Sequence, residues 1–309
     1  MDDTTKGTAD TESAAVSAEL DELAAVFGVP SVHSWRPWWA HEAPARPAHF
    51  PAYVGLTPKG APVDLDIMAA PLGGDGPHGV LLGGPSSGKT EALTTLVLSL
   101  CATYQPDEIR ILLICGDPHA PRDNGLQALA ALPQVDILGA DLPAPRREAD
   151  FLAAAQERIQ DEVRSRRRSL REVHPARRPT HGSHLLVIVD DYHLLETDWG
   201  TDQWRGLLWR IVTRGAPLNM HLMVSSRVLS PAIRMLLPHC GYRIVMGSHD
   251  IDAADDFDGT DSSSGVEPGL ALVATDDADP AACTFFHPSG DGGRIRNALI
   301  ARIRAHAQP

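Results

Sequence analysis

Positive charge is scarce in this sequence. Lys and Arg number 27 against 40 Asp and Glu, for a formal net charge of −13. That balance repels nucleic acid and anionic membrane at long range unless basic residues are concentrated locally. Cysteine is sparse as well: Cys101, Cys115, Cys240 and Cys283 lie far apart, with no CxxC pair. They read as buried thiols of a reducing compartment, not as a disulfide framework or a zinc site. No stretch reaches the roughly 18 to 20 apolar residues that cross a bilayer, and the opening MDDTTKGTADTES is acidic where a secretory leader is basic and then apolar. A cytoplasmic location is expected. The 14 histidines show no HxxxH or HExxH spacing, and no GxSxG elbow occurs. The commonest zinc-hydrolase and serine-hydrolase signatures are therefore missing.

What is present is apolar residue, 43% of 309 positions, enough to bury a sizeable core. Residues 1–16 are polar and aperiodic and are expected to form a disordered acidic tail. Residues 17–60 read as a lead-in. It begins with a short helix carrying Leu20, Leu23, Ala24 and Val26, runs through the Pro- and Trp-rich SWRPWWAHEAPARPAHFP, and ends in the first strand of a hairpin. That hairpin pairs residues 53–56 with 63–67 around TPKGAP, whose Pro and Gly suit a turn. Beyond it, short apolar runs at 79–82, 109–115, 135–138, 185–189, 222–224 and 242–246 alternate with helical patterns at 92–101, 151–170, 204–212 and 232–237. Such alternation predicts an α/β fold, a mainly parallel sheet covered by helices on both faces. Near the end, residues 270–274 and 283–286 flank DDADPA as a second hairpin. A last helix follows, with Ile295, Leu299, Ile300 and Ile303 on one side.

Two stretches are biased in composition. RSRRRSLREVHPARR (Arg164–Arg178) keeps a helical stripe with Leu152, Ala155, Ile159, Val163 and Leu170, and Glu157, Asp161 and Glu162 dilute its charge. It reads as a solvated helix face in preference to a nucleic-acid patch. DIDAADDFDGTDSSSGVEPG (Asp250–Gly269) begins as an acidic turn capped by Ser248 and dissolves into a Ser/Gly loop, a surface excursion.

One motif carries chemistry. Gly83–Thr90, GGPSSGKT, fits GxxxxGK[ST], and its context is right: Gly79-Val80-Leu81-Leu82 reads as a buried strand entering the loop, and Ala92, Leu93, Leu96, Val97 and Leu100 as a helical stripe leaving it. Glycines let the backbone turn N–H groups inward around an anion, the helix start adds about +0.5 of partial charge, and Lys89 adds a full one. Gly83, Gly84, Ser86, Ser87, Gly88, Lys89 and Thr90 are thus the candidate phosphate ligands of ATP, with the Thr90 hydroxyl available to Mg²⁺. A phosphate cradle needs an acid at the end of a neighbouring strand. HLLVIVDD supplies Asp190, the second candidate Mg²⁺ ligand, about a hundred residues on.

Asp191 stands where such enzymes often carry a Glu that polarises the attacking water. It is one methylene shorter, so slow or absent hydrolysis is expected. A strand between loop and acid would present a polar residue to the γ-phosphate, and NMHLMVSSR offers Ser225, Ser226 and Arg227, of which Ser226 is the candidate sensor. Arg205, Arg210 and Arg214 read either as surface residues or as arginine fingers for a neighbouring subunit, Arg214 foremost.

GPHGVLLGGPSSGKTEALTTLVLSL (Gly76–Leu100) resembles the FtsK/SpoIIIE family of RecA-like ring motors, and within it the ATPase modules of EccC-type motors of type VII secretion. The resemblance extends through PVDLDI (Pro62–Ile67), LLVIVDDYHLL (Leu185–Leu195), NMHLMVSSR (Asn219–Arg227), GYRIVMG (Gly241–Gly247) and PGLALV (Pro268–Val273), over roughly residues 19–286. It implies that residues 61–309 form a RecA-like (ASCE) P-loop ATPase domain that binds ATP and Mg²⁺. The implied partners are other subunits of a secretion motor or a homo-oligomeric ring, together with small helical-hairpin secreted substrates, and the membrane is met only through partners. Three departures stand out: Asp191 for the family's Glu, Ser226 for its sensor Gln, and CGDPHAPRDN (Cys115–Asn124) for its Asp-Phe-Lys-Gly-Gly segment. They resemble the catalytically weak downstream modules of the secretion motor. The alternatives are a non-hydrolysing nucleotide-bound interaction module and, against the charge balance, a DNA translocase.

Overall fold

The computed structural model describes residue 37 and residues 50–115, 125–138, 147–172, 183–198, 201–247, 269–276, 278–289 and 292–307. The expected acidic tail, the lead-in helix, nearly all of the Pro/Trp-rich segment, residues 116–124 and the acidic excursion as far as residue 268 lie outside those residues.

A hairpin opens the described chain, β1 (Pro51–Leu56) and β2 (Pro62–Asp66), turning through Gly60 at φ 78°. Six parallel strands follow: β3 (His78–Gly83), β4 (Ile109–Cys115), β5 (Val135–Leu138), β6 (His184–Asp190), β7 (Met220–Ser226) and β8 (Tyr242–Met246). A second antiparallel hairpin, β9 (Leu270–Thr275) and β10 (Ala278–Phe285), closes the series. All ten form one sheet in the order β2-β1-β10-β9-β8-β3-β7-β6-β4-β5. Every residue of β3, β6 and β7 is buried, which explains why these strands read as unbroken apolar runs: a parallel strand has no solvent face. Both hairpins foreseen from turn chemistry are present. The β1–β10 pairing, Gly55 opposite Phe285, joins them into one four-stranded extension on the β8 edge.

Helices cover the two faces unequally. On one face lies α1 (Lys89–Thr103), flanked by the short α2 (Gly125–Ala128). α1 is buried on nearly all sides because β1 and the C-terminal helix pack on it as well as the sheet. On the other face lie α3 (Arg147–Glu172), α4 (Tyr192–Asp198), α5 (Thr201–Arg214) and α6 (Pro231–Leu236). α7 (Arg294–Ala307) returns to the α1 face and buries Ile295, Leu299, Ile300 and Ile303 there, the side expected from their spacing. Each face has its own core, Leu81, Leu186, Ile188 and Met223 on one side, Val80, Val187, Leu222 and Val224 on the other. All four cysteines are buried and none forms a disulfide. Among the described residues no helix is long and apolar enough to cross a membrane.

The arginine-rich α3 is only partly a solvated face. Glu162, 9% exposed by its side chain, accepts from Arg110 at 2.7 Å and lies 3.5 Å from both Arg158 and Arg166. Arg166 turns inward and donates to the carbonyls of Ser183 and Leu218, so it ties α3 to the starts of β6 and β7.

Candidate nucleotide site

β3 delivers the chain to Gly83, and α1 begins at Lys89. Between them the backbone enters the left-handed region at Ser86 (φ 59°) and Gly88 (φ 99°), and Gly88 caps the helix. A side chain at Gly88 would be strained by that φ. At Gly83 a Cβ would fall 2.4 Å from Ser87 Oγ and 2.8 Å from Met246 Cβ, so only glycine lets the loop fold onto β8. Ser87 O accepts from Gly269 N–H at 3.2 Å, which braces the loop against the start of β9. Ser87 Oγ is buried and has no hydrogen-bond partner among the described residues. A phosphate oxygen would satisfy it.

Lys89 is 7% exposed and donates through Nζ to Gly83 O at 2.8 Å and Gly84 O at 3.0 Å. Its ammonium lies across the loop, held by these two carbonyls, of which Gly84 O also accepts from the Ser87 N–H at 3.4 Å. Burial pulls its pKa down from the usual lysine value, opposed by the nearby carboxylates of Asp191 and Asp190, while Arg227 adds to the depression. Thr90 follows in the first helical turn, partly exposed.

Asp190 ends β6 and is 7% exposed. Its Oδ1 accepts from Ser225 Oγ at 2.5 Å, and Ser225 Oγ accepts in turn from the Asp191 N–H at 2.9 Å. One serine hydroxyl therefore fixes both the acid and the backbone that follows it. Burial and the neighbouring Asp191 push the Asp190 pKa up to about 6, while Ser225 and Lys89 pull the other way. Asp191 adopts a left-handed backbone, φ 49°, a conformation aspartate tolerates better than most residues. Its Oδ1 lies 3.9 Å from His193 Nδ1.

The structure thus gathers the loop, Lys89, Asp190 and Asp191 at the carboxyl ends of β3 and β6, with β7 between them as anticipated. It treats the two serines of β7 differently. β6 and β7 register Val189 opposite Val224, so Ser225 follows Asp190 onto the α1 face. Ser226 turns to the other face and closes a local turn, donating to Val228 O at 2.9 Å and accepting from Val228 N–H at 3.3 Å. Ser225 and Arg227, offered by the sequence beside Ser226, join the site together with His193, which the sequence did not single out. The signal for Ser225 was strand parity, which needs the register that pairing alone supplies. Arg214 ends α5, ahead of β7, at the opposite end of the strands. It is separated from its own chain's site by the length of β7, about 20 Å. Arg205 pairs with Asp202 on α5.

A loop–helix anion cradle at the end of β3, with an acid on β6 and a polar strand inserted between, defines a RecA-like P-loop ATPase domain, a fold that binds nucleotide with Mg²⁺. Here Thr90 and Asp190 fit the metal, while Ser87 and Lys89 fit the phosphates. Residues 39–225 match the FtsK/SpoIIIE family, and the chain belongs to it. Over 204 residues it is 31% identical to the ESX secretion system protein EccC of Thermomonospora curvata, an alignment covering 62% of this chain and 15% of that protein. The cytoplasmic domain of the same organism's type VII secretion ATPase EccC superposes with a TM-score of 0.70 at 22% identity, covering 93% of this chain and 34% of that one. ATPases 2 and 3 of the same EccC, solved in complex with a signal sequence peptide, superpose at 0.59 and 21% identity, covering 87% of this chain and 49% of theirs. The chain therefore spans only a small part of the length of that EccC protein.

Proposed function

We propose that this chain is an ATP·Mg²⁺-binding ATPase module of a type VII, ESX-like secretion motor, with weak hydrolysis. The observation that carries the reading is the convergence of Lys89, Asp190 and the Ser225 hydroxyl on one glycine-shaped loop. When bound, Mg²⁺ would neutralise charge on the β- and γ-phosphates. The chain's own residues then do the following. Backbone N–H groups of the loop and Lys89 hold the phosphates, Ser87 donates to them, Thr90 and Asp190 hold the metal, and Ser225 keeps the Asp190 carboxylate oriented. Asp191, the candidate base, sits on a backbone pinned by Ser225, and its short side chain limits how far it reaches toward a water. Arg214, near the start of β7, would serve a neighbouring subunit's site and not that of its own chain.

The partners in this reading are other motor subunits in a ring and small helical-hairpin secreted substrates. The setting is the cytoplasm, at the inner face of the membrane through the complex. The relative solved with a signal sequence peptide supports the substrate class. A non-hydrolysing interaction module is the second reading, favoured by the short Asp191 and by a Ser226 hydroxyl closed in its own turn. DNA translocation runs against the net charge of −13. Phosphate release, measured beside light-scattering mass with and without ATP, separates these readings. The motor reading expects slow turnover above the Lys89→Ala background and a larger assembly with ATP. A monomer that holds ATP without turnover supports the interaction module.

A further inference from the structure

On the sheet face opposite α1, a groove of about 580 Å³ runs between α3 and α5. Its floor is aliphatic: Ile159, Leu207, Leu218 and Met220, all buried, with Val163 half-buried beside them. Its rim is cationic. Arg164, Arg167, Arg210 and Arg214 stand exposed along it, and no Asp or Glu lines it among the described residues. Arg164 pairs with Asp161 at 2.9 Å, but Arg167, Arg210 and Arg214 have no carboxylate within ion-pair distance among the described residues. In a chain of net charge −13 this is a local reversal of sign around an apolar trough. Trp209, 37% exposed, stands at the same wall. Trp and Arg are the side chains that most often dominate binding at protein interfaces.

Gly206 supplies an independent observation. It lies inside α5, where glycine costs about 1 kcal/mol relative to alanine. A Cβ built there meets nothing within 4 Å, so no packing contact requires glycine. What the missing side chain does is leave the groove wall open.

We propose that this groove docks an acidic amphipathic segment of a partner polypeptide, its apolar side chains in the trough and its carboxylates on the arginine rim. A nucleic acid fits less well. Bases need stacking platforms, and Trp209 is the one aromatic among the described lining residues, the rest of the floor being aliphatic. The groove lies on the face away from the phosphate loop, so the proposal does not depend on the nucleotide reading.

The test is fluorescence anisotropy with the full chain. The probes are a labelled helical peptide carrying Leu on one face and Glu on the other, the same peptide with Lys for Glu, and single-stranded and duplex DNA. The acidic peptide is expected to bind, and the Lys peptide and both DNAs to bind at least about tenfold more weakly. Gly206→Leu, which fills the open wall, and Arg167→Glu, which reverses the rim, are each expected to weaken the acidic peptide about tenfold and to leave ATP affinity unchanged. Should Gly206→Leu fail to fold, Arg167→Glu decides. Absence of binding by the acidic peptide, tighter binding of DNA, or affinity indifferent to both variants overturns the proposal. Loss of ATP binding in the wild-type chain with peptide binding intact would instead strike the nucleotide reading alone.

Discussion

The strands β3, β6 and β7 begin and end in opposite kinds of polar chemistry. At their starts lie His78, His184 and His221, all buried, with His184 Nδ1 and His221 Nε2 2.8 Å apart and the ring of Phe50 packed 4.1 Å from that of His184. At their ends, about 20 Å away, lie the Gly83 loop, Asp190 and Ser225. Burial acts on both ends but favours opposite protons. It holds His78 near 4, with His239 adding to the depression, and His221 well below the ordinary histidine value, with His184 and His78 adding to it, so these groups stay neutral. It raises Asp190 to about 6, so an acid needed as an anion carries a desolvation cost in the nucleotide-free protein. One end of the sheet keeps its buried rings neutral, and the other keeps charge ready for a ligand at some expense of stability.

Removing the cation at the loop should have the largest effect. Lys89→Ala is expected to weaken ATP at least about 30-fold, the loss of a charge-assisted contact to phosphate, as read by calorimetry. Unchanged affinity would show that the loop is not the site.

Asp190→Asn tests the contrast itself, because it should move two readouts in opposite directions. Mg²⁺-dependent ATP affinity is expected to fall about 10- to 100-fold. The nucleotide-free protein at neutral pH is expected to melt higher, because a buried charge is gone. A lower melting temperature would mean that the carboxylate is structural.

The serine pair gives a smaller, parity-dependent effect. Ser225→Ala should slow phosphate release about tenfold through a misoriented Asp190, while Ser226→Ala, confined to the Val228 turn, stays within about twofold. The reverse order would place the sensor on the other face of β7.

At the histidine end the expected change between pH 7.5 and 5 is at most about 2 kcal/mol. His78 is neutral in the fold and titrates near 6.5 when unfolded, so its contribution is present above 6.5 and lost as pH falls from there toward 4. Asp190 works in the opposite sense. Its folded value exceeds the ordinary 3.8, so its contribution is fully present below 3.8 and lost as pH rises through about 6. Urea midpoints taken between pH 7.5 and 5 should therefore decline less steeply in His78→Met and more steeply in Asp190→Asn. Parallel slopes would remove the contrast.

How much of this was legible in the sequence depends on whether a feature is local. The loop was, because the spacing from Gly83 to Lys89 encodes its own geometry, and so was Asp190, which ends an uninterrupted apolar run. Both hairpins were readable from turn residues. The identity of the serine that touches Asp190 was not, since Ser225 and Ser226 differ by one position and only the Val189–Val224 register assigns their faces. The joining of the hairpins through Gly55 and Phe285 was equally out of reach, because those residues meet across most of the chain. The arginine run of α3 read as a solvated surface. Arg166 is in fact drawn inward by Glu162 and two strand-start carbonyls, while its neighbours Arg164 and Arg167 rim a groove that exists only once α5 packs alongside.

The most direct measurement is a calorimetric titration of the wild-type chain with ATP, once with Mg²⁺ and once with the metal chelated. The loop, Lys89 and Asp190 predict saturable binding at one site that weakens without the metal. No binding, or binding indifferent to Mg²⁺, would contradict the assignment of Asp190 and of the site as a whole.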